Sequence, residues 1–266
     1  MAGIRDLDQL LLDGNGFPGC QRCKYFQTGS AALCYRCASK EWQRLAGDGD
    51  RCQICDLPFN AGEQECRNPV CKMSDRWFEW NYAVAMRTGA LENTISAYKY
   101  YAQKHWATIF GRLLVGFLEA NDRLFRSMDA LIASPSFTGE GAHRTWGHID
   151  LIVQAAAKEG PMWPFDLTDP SVIVKTTETE QMARRSYQER KKNAQTSLRA
   201  ALAVPDRSRT QGKRIVVVDD VFTDGLTLNE VARALRQAGA AQVFGVTLAR
   251  QPFRGIPAGT GPGEGH

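Results

Sequence analysis

The fold of this chain follows from one stretch, Ile215-Val216-Val217-Val218-Asp219-Asp220-Val221-Phe222-Thr223-Asp224-Gly225-Leu226-Thr227. Apolar β-formers lead into two adjacent acids, and small and hydroxylated residues then lead into a helical pattern over residues 228–238, which predicts a strand, a loop and a helix. Backbone N–H groups and the positive end of the helix dipole converge on such a loop and favour a phosphate. The paired acids can hydrogen-bond a vicinal diol or hold a magnesium ion near a second phosphate. A sugar phosphate suits both halves of the stretch.

This stretch resembles the 5-phosphoribosyl-1-pyrophosphate (PRPP) binding motif of the type I phosphoribosyltransferases. The resemblance implies that Asp219 and Asp220, as the catalytic pair, contact the ribose hydroxyls. It also implies that a loop wraps the 5-phosphate, with the residues Thr223, Asp224, Gly225, Leu226 and Thr227. Asp224 departs from the family pattern, which generally has Thr or Ser there. Unless this carboxylate turns away or meets a cation, it repels the phosphate. The alternative for the whole stretch is an ordinary buried strand ending in an acidic turn.

The composition describes a chain with one sizeable core and a small appendage. It has 266 residues, 43% of them hydrophobic, and a mean hydropathy of −0.36. No apolar run approaches the roughly 18 residues of a membrane span, and no signal peptide is visible at the start, so we expect a cytoplasmic protein without a membrane partner. The net charge of +4 permits nucleic-acid contact without requiring it, and oligomer formation stays open.

All eight cysteines lie near the start of the chain, in two near-copies offset by 32 positions. Tetrahedral zinc needs four soft ligands, and short loops present them in pairs. We therefore predict a double zinc-binding module over residues 1–76 with two structural zinc ions, each held by four thiolates and with no open catalytic position. The predicted ligands are Cys20, Cys23, Cys34, Cys37, Cys52, Cys55, Cys66 and Cys71.

The pairing of these cysteines has two solutions. A duplication favours sequential sites, with the first four cysteines on one zinc and the last four on the other. A cross-braced arrangement, in which the first pair joins the third and the second joins the fourth, uses the same spacings. A disulfide framework and an iron–sulfur cluster are the remaining alternatives.

An aromatic patch at residues 77–82 follows the module. We interpret it as the surface by which the module docks on the core, with stacking on single-stranded bases as the alternative. A strand over residues 83–87 and two helices over residues 91–101 and 105–120 follow, and the second helix has a predicted buried face made of Ile109, Leu113, Leu114, Phe117 and Leu118.

Ala97-Tyr98-Lys99-Tyr100 resembles the lysine-containing helix of the ComF-type subfamily, which also joins cysteine pairs to a phosphoribosyltransferase domain. The order of parts matches from Cys20 to about Arg250. The resemblance implies that Lys99 can reach a phosphate, and the alternative is a solvated helix lysine.

The pattern of residues 130–136 predicts a strand that ends in a loop, and a helix over residues 149–158 follows. The family resemblance implies that this loop cradles pyrophosphate through Ser134, Ser136 and Arg144. The sequence Arg144-Thr145-Trp146-Gly147-His148 keeps the arginine but departs from the subfamily's Arg-Gly-aromatic-Asn-Gln. His143 and His148 either titrate usefully near neutral pH or are solvated loop residues.

A further strand is predicted over residues 171–175, followed by a basic stretch of Arg184, Arg185, Arg190, Lys191 and Lys192. Family members carry a mobile loop here that closes over PRPP, which makes Arg190 a PRPP-binding candidate. A nucleic-acid-binding face and a solvated charge run are the alternatives. With a last strand over residues 242–248, we predict a doubly wound, parallel α/β domain over residues 77–252 and a disordered tail over residues 253–266.

The leading hypothesis is a PRPP-dependent phosphoribosyltransferase that uses magnesium and transfers the ribose phosphate to a ring nitrogen of an unidentified, nucleobase-like acceptor. A non-catalytic PRPP-binding protein is one alternative. The other, from the ComF resemblance, is a protein that handles single-stranded DNA during DNA uptake.

Overall fold

The computed structural model describes residues 51–60, 62–87, 89–180 and 185–252. Four predicted zinc ligands lie outside the described residues, namely Cys20, Cys23, Cys34 and Cys37. The predicted tail and Arg184 of the basic stretch also lie outside them. The predicted boundary between residues 76 and 77 stays a prediction.

Six strands and seven α-helices follow one another along the described residues. The strands are β1 (Asn81–Met86), β2 (Ala130–Ala133), β3 (Val174–Lys175), β4 (Leu202–Ala203), β5 (Arg214–Phe222) and β6 (Gln242–Arg250). The helices are α1 (Gly89–Tyr100), α2 (Trp106–Ala120), α3 (Asp122–Phe125), α4 (His148–Glu159), α5 (Tyr187–Asn193), α6 (Arg199–Ala201) and α7 (Leu226–Gln237). The described residues also contain two 3-10 turns (Pro69–Lys72 and Arg207–Arg209) and a π-helical segment (Ala194–Leu198). Within the residues described, no helix is both long enough and apolar enough to span a membrane.

The main sheet has four parallel strands in the order β1-β6-β5-β2. Parallel neighbours need crossover connections, and α-helices supply them on both faces of the sheet. All four strands end at one edge, so the residues that follow β2 and β5 meet there. This is the edge at which open α/β sheets bind ligands.

Strand β5 divides the core into two clusters because successive side chains point to opposite faces. Val216 and Val218 belong to the α2-side cluster, packed with residues of α1, α2 and α4. Ile215 and Val217 belong to the α7-side cluster, packed with residues of α7 and with the cysteines. Helices therefore cover both faces, and the predicted doubly wound α/β fold is confirmed. The predicted buried face of α2 is confirmed as well.

The predicted strand over residues 171–175 is wrong as a member of the main sheet. Only Val174 and Lys175 are in a strand, and they pair antiparallel with β4 in a separate two-stranded sheet. Val172 and Ile173 are buried in the α7-side cluster. The apolar run thus reflects burial against α7. A short apolar run indicates that residues are buried, but it does not show whether they form a strand of the main sheet.

The aromatic patch packs the cysteine-rich segment onto the core. Phe78 is buried and lies edge-on to Phe222, with ring centroids 6.1 Å apart. Trp80 stacks on Tyr82 at 4.5 Å between centroids, and the Trp77 backbone N–H donates to Asn229 of α7 at 2.9 Å. The docking interpretation is therefore confirmed for these aromatics, which are engaged with the core rather than free to stack on bases.

Candidate functional site

The phosphate loop, residues 223–227, connects the end of β5 to the start of α7. Its turn depends on Gly225, whose φ of +85° lies in the left-handed region. A Cβ at this position would lie 2.5 Å from the Phe222 ring and 3.1 Å from the Val70 side chain. The turn therefore requires glycine and delivers the loop directly to the positive end of α7, which is a ready-made anion site.

Asp224 already places a carboxylate at this helix end. Its Oδ1 accepts a hydrogen bond from the Leu226 backbone N–H at 3.1 Å. Its Oδ2 lies 2.7 Å from Nε of Arg190 in α5. The Asp224 carboxylate is thus paired with a cation. This pairing reduces the repulsion that Asp224 would otherwise exert on a bound phosphate. Leu226 itself contributes through its backbone, since its side chain is buried.

The two acids of the motif lie beside His148, and one ligand atom from each of the three residues lies within 4.8 Å of the others. Asp220 is buried on the α2 side, where its Oδ2 lies 2.7 Å from Lys99 Nζ and 3.4 Å from His148 Nε2. Lys99 is therefore not a solvated helix lysine, and its contact with a phosphate stays a prediction. Asp219 lines both cavities at the site.

The environments of the two acids separate their ionisation. Burial, together with the neighbouring charge of Asp220, raises the pKa of Asp219 to about 6. Burial also opposes ionisation of Asp220, but Lys99 and His148 outweigh it and hold the pKa of that carboxyl well below its usual range. Asp220 is thus ion-paired with Lys99 and His148, and Asp219 lies beside it.

His148 begins α4 and is 7% exposed, so the solvated alternative for this histidine is wrong. The Tyr98 hydroxyl donates to its backbone carbonyl at 2.5 Å. Nη1 of Arg144 lies 2.8 Å from its Nδ1. The imidazole thus stands between a guanidinium and the Asp220 carboxylate. His143, by contrast, is exposed, and its backbone N–H donates to Glu178 at 3.2 Å.

The predicted pyrophosphate loop reaches the same site. The Ser134 backbone N–H donates to the Val218 carbonyl at 2.8 Å, which extends the β2–β5 ladder to the sheet edge. Ser136 Oγ is buried without a hydrogen-bond partner among the described residues. An unsatisfied buried hydroxyl at a cleft wall is a group that a bound ligand can satisfy.

A cleft of about 960 Å³ joins these parts. It is lined by most of the predicted site residues, namely Lys99, Ser134, Ser136, Arg144, Arg190, Asp219, Asp220, Thr223, Asp224 and Thr227. Gly225 lines a smaller cavity of about 70 Å³ behind the phosphate loop. Asn81, which the sequence did not mark, also lines that cavity, and its Oδ1 is buried without a partner among the described residues.

Four thiols, the cysteine cluster, lie close enough together to hold a metal ion. Sγ of Cys52 lies 3.7 Å from Sγ of Cys71, and Sγ of Cys55 lies 3.6 Å from Sγ of Cys66. The ligand atoms of all four lie within 4.8 Å of one another. Bonded sulfurs lie at about 2.05 Å, whereas a zinc tetrahedron with bonds of about 2.3 Å has sulfur–sulfur edges of roughly 3.8 Å. The second repeat is therefore arranged as a sequential four-cysteine site rather than cross-braced or disulfide-bonded.

The donor set of this cluster fits zinc. Four cysteine sulfurs are soft donors of the kind that zinc prefers. Contacts within the cluster, chiefly with Cys52, lower the pKa of Cys55 and raise the pKa of Cys66 and of Cys71. Backbone N–H groups of Ile54 and Asn68 each lie 3.4 Å from a cluster sulfur. A filled set of four thiolates is a structural site.

Comparison with known proteins agrees with this geometry. Residues 172–258 match the model of the phosphoribosyl transferase domain. The DNA utilization protein YhgH of Escherichia coli (strain K12) is 26% identical over 198 residues, covering 74% of this chain and 82% of that protein. The YhgH protein of Salmonella typhimurium is 25% identical over 213 residues, covering 79% and 87%. The competence protein ComFC of Streptococcus pneumoniae is 21% identical over 216 residues, covering 76% and 89%.

The matched domain contains the whole strand, phosphate loop and helix unit from β5 to α7. The relatives extend the similarity over most of the chain. The parallel sheet carries the motif at its ligand-binding edge, and the four clustered cysteines lie beside it. The chain is thus similar to proteins of the ComF-like, phosphoribosyltransferase-type family, with the domain model matched over residues 172–258.

Proposed function

We propose that this protein binds PRPP and transfers its ribose phosphate to a ring nitrogen of a heterocyclic acceptor. One observation carries the proposal. One cleft is lined by three kinds of group. They are the anion-binding loop at the start of α7, the acid Asp219, and the polar side chains of Ser136 and Arg144. PRPP has a matching group for each of them: its 5-phosphate for the loop, its ribose diol for Asp219, and its pyrophosphate for Ser136 and Arg144.

In this proposal the 5-phosphate occupies the phosphate loop, where the loop amides and the α7 dipole stabilise its charge. The ribose diol faces Asp219, which accepts its hydroxyl hydrogens when ionised. The pyrophosphate lies along Ser134, Ser136 and Arg144. Arg144 is suited to this place because the group found beside its guanidinium is the His148 imidazole, not a carboxylate.

The reaction breaks the bond between ribose C1 and the pyrophosphate oxygen and forms a bond from C1 to the acceptor nitrogen. Positive charge develops on the ribose as the leaving group departs, and the Asp219 carboxylate stabilises it. Arg144 stabilises the negative charge of the pyrophosphate. Magnesium, when bound with PRPP, neutralises further phosphate charge. Asp219 suits it better than Asp220, because the Lys99 ammonium lies 2.7 Å from the Asp220 carboxylate.

Pyrophosphate release from PRPP tests the proposal, measured with magnesium and a panel of purine, pyrimidine and other nitrogen heterocycles. We expect release with at least one acceptor and its loss in Asp219→Asn. Glu119→Gln, an exposed acid at the far end of α2, is the matched control and should keep the activity. PRPP binding without release across the panel would favour the non-catalytic alternative. Absence of magnesium-dependent PRPP binding by calorimetry would refute both.

A cytoplasmic location belongs to this proposal. Four free thiols within contact distance of one another persist in a reducing compartment, where a structural zinc site rather than a disulfide forms.

Single-stranded DNA is a second candidate ligand, favoured by the names of the relatives and by two exposed aromatic rings. Tyr100 and Tyr101 at the end of α1 are 61% and 76% exposed, and Tyr100 lines the mouth of the cleft. Aromatic stacking stabilises a bound base by about 1–3 kcal/mol. Fluorescence anisotropy with a labelled oligonucleotide should show salt-dependent binding that weakens at least about fivefold in Tyr100→Ala/Tyr101→Ala. Leu124→Ala, an exposed apolar control, should bind normally. Binding that is insensitive to salt and to both tyrosines would exclude this candidate.

A further inference from the structure

Arg250, the last residue of β6, is completely buried between the cysteine cluster and the phosphate loop. Its Nε donates to the Cys55 carbonyl at 2.8 Å. Its Nη1 donates to the Thr223 carbonyl at 2.8 Å and to the Phe222 carbonyl at 3.1 Å. One guanidinium therefore spans the metal-binding segment and the first residues of the anion site.

Burying a guanidinium is costly in free energy unless its N–H groups are hydrogen-bonded. A buried arginine therefore requires hydrogen-bond acceptors at fixed positions around it. Here four of the recorded acceptors are backbone carbonyls, which fix main-chain positions. The fifth is Sγ of Cys55, which lies 3.5 Å from Arg250 Nη2. The planar fork of arginine holds several acceptors in one geometry, which the single ammonium of lysine cannot reproduce. Arg250 thus sets the orientation of particular peptide groups in the phosphate loop.

The orientation matters for the opposite side of those peptides. In a trans peptide the carbonyl and the following N–H point in opposite directions. The Phe222 and Thr223 peptides are trans, and their carbonyls face Arg250. The N–H groups of Thr223 and Asp224 consequently face away from Arg250. These are the donors that a bound phosphate requires.

Other contacts also join the segment that carries the cysteine cluster, residues 52–71, to the site. The Val70 side chain abuts Gly225. The Asn81 backbone N–H donates to the carbonyl of Ile54 at 2.7 Å, and Ile54 lies between Cys52 and Cys55 in the sequence. Asn81 also lines the smaller cavity beside the phosphate loop. The metal-binding segment therefore packs against the phosphate loop over several residues and not through Arg250 alone.

We propose that Arg250 is a positioning residue through which the cysteine cluster holds the phosphate loop in its anion-binding shape. This inference rests on the proposed function for the identity of the ligand, while the coupling itself concerns the loop alone. Zinc at the cluster fixes Cys55, Cys55 fixes Arg250 through its carbonyl, and Arg250 fixes the two loop peptides. Metal loss at one site then lowers phosphate binding at the other.

Residue-level hydrogen exchange tests the coupling without any ligand. The amides of Leu226 and Gln251 report on the loop, because they donate to Asp224 Oδ1 at 3.1 Å and to the Phe222 carbonyl at 2.9 Å. We expect Arg250→Gln to speed their exchange at least about tenfold, Arg250→Lys to give an intermediate effect, and zinc removal from the wild-type protein to reproduce the increase. Leu118→Ala, in the α2-side cluster, supplies a variant of lowered stability without a contact to the loop. It should leave the two amides within about twofold of wild type under conditions where all variants are folded.

Calorimetry with PRPP and magnesium gives the second readout. Arg250→Gln should weaken binding at least about tenfold, and Leu118→Ala should not. Unchanged exchange at Leu226 and Gln251 in both Arg250→Gln and the zinc-free protein would overturn the inference, as would normal PRPP affinity in Arg250→Gln. If the wild-type protein binds no PRPP, the proposed function fails, and the exchange result still decides the coupling.

Discussion

Replacing Asp224 by threonine should tighten PRPP binding. Asp224 Oδ1 accepts the Leu226 N–H at 3.1 Å, so a carboxylate occupies a donor that the 5-phosphate needs. The phosphoribosyltransferase motif that this stretch resembles generally has Thr or Ser at this position, and a hydroxyl can donate to a phosphate where a carboxylate only repels it. Asp224→Thr therefore removes an internal competitor and supplies a donor.

The size of the effect follows from two opposing charges. A unit charge on Asp224 and a phosphate oxygen sharing the same amide lie roughly 4–5 Å apart, and at an effective dielectric constant of about 20 they repel by about 3–4 kcal/mol per charge. The Arg190 guanidinium, 2.7 Å from Asp224, attracts the same phosphate and offsets most of this repulsion. We expect a net gain of about 1–2 kcal/mol on charge removal, which is about 5- to 30-fold in Kd.

Titration calorimetry with PRPP and magnesium near neutral pH measures this gain. Asp224→Asn removes the charge without adding the hydroxyl and should show most of it, whereas Glu119→Gln removes a remote acid and should show none. Arg190→Gln should weaken binding, because it leaves the Asp224 charge uncompensated beside the phosphate. The double variant Arg190→Gln/Asp224→Thr should recover much of that loss.

The reasoning is refuted if Asp224→Thr binds PRPP as wild type or more weakly. That result would mean that Asp224 assists the ligand, for example by holding Arg190 in its bound position, and that the carboxylate and phosphate do not compete.

Three further predictions concern other parts of the site and its support. Lys99→Gln removes the ammonium 2.7 Å from Asp220, so pyrophosphate release should fall at least about tenfold while Lys158→Gln on α4 has no effect; equal activity of the two variants would contradict a role for Lys99. Gly225→Ala forces a Cβ into a left-handed turn against the Phe222 ring, which should lower the free energy of unfolding by about 1–3 kcal/mol and weaken PRPP binding, and unaltered denaturant curves and calorimetry would contradict this. Glu230 is buried in α7 and ion-paired with two arginines. Burial opposes its ionisation, but the arginines outweigh burial and lower the pKa of Glu230, so its stabilising effect is present at neutral pH and is lost on acidification. Glu230→Gln should therefore lower stability by about 1–3 kcal/mol at pH 7, and the difference from wild type in urea unfolding should shrink towards pH 4, whereas a constant difference would show that charge is not involved.

The sequence alone determined the parts that depend on neighbours along the chain. The order of apolar, acidic and small residues from Ile215 to Thr227 specified a strand, an anion loop and a helix, because the periods of strand and helix are local properties. The spacing of the cysteine pairs predicted a metal site for the same reason, and the four cysteines of the second repeat lie together as such a site requires. Residues 171–175 show the limit of this reasoning. Their apolar run correctly indicated burial. Whether such residues join the main sheet or pack against a helix depends on residues distant in the sequence.

The tertiary structure decided how those parts act together. Only the tertiary structure shows that Asp220 is ion-paired with Lys99 and His148 and that Asp219 lies beside them at the end of β5. Only packing shows that Arg190 reaches Asp224. Arg250 and Cys55 are 195 residues apart, and a single buried guanidinium joins them across the phosphate loop. No local pattern marks such a residue, because its partners are backbone carbonyls whose positions depend on the completed fold rather than on any residue type nearby.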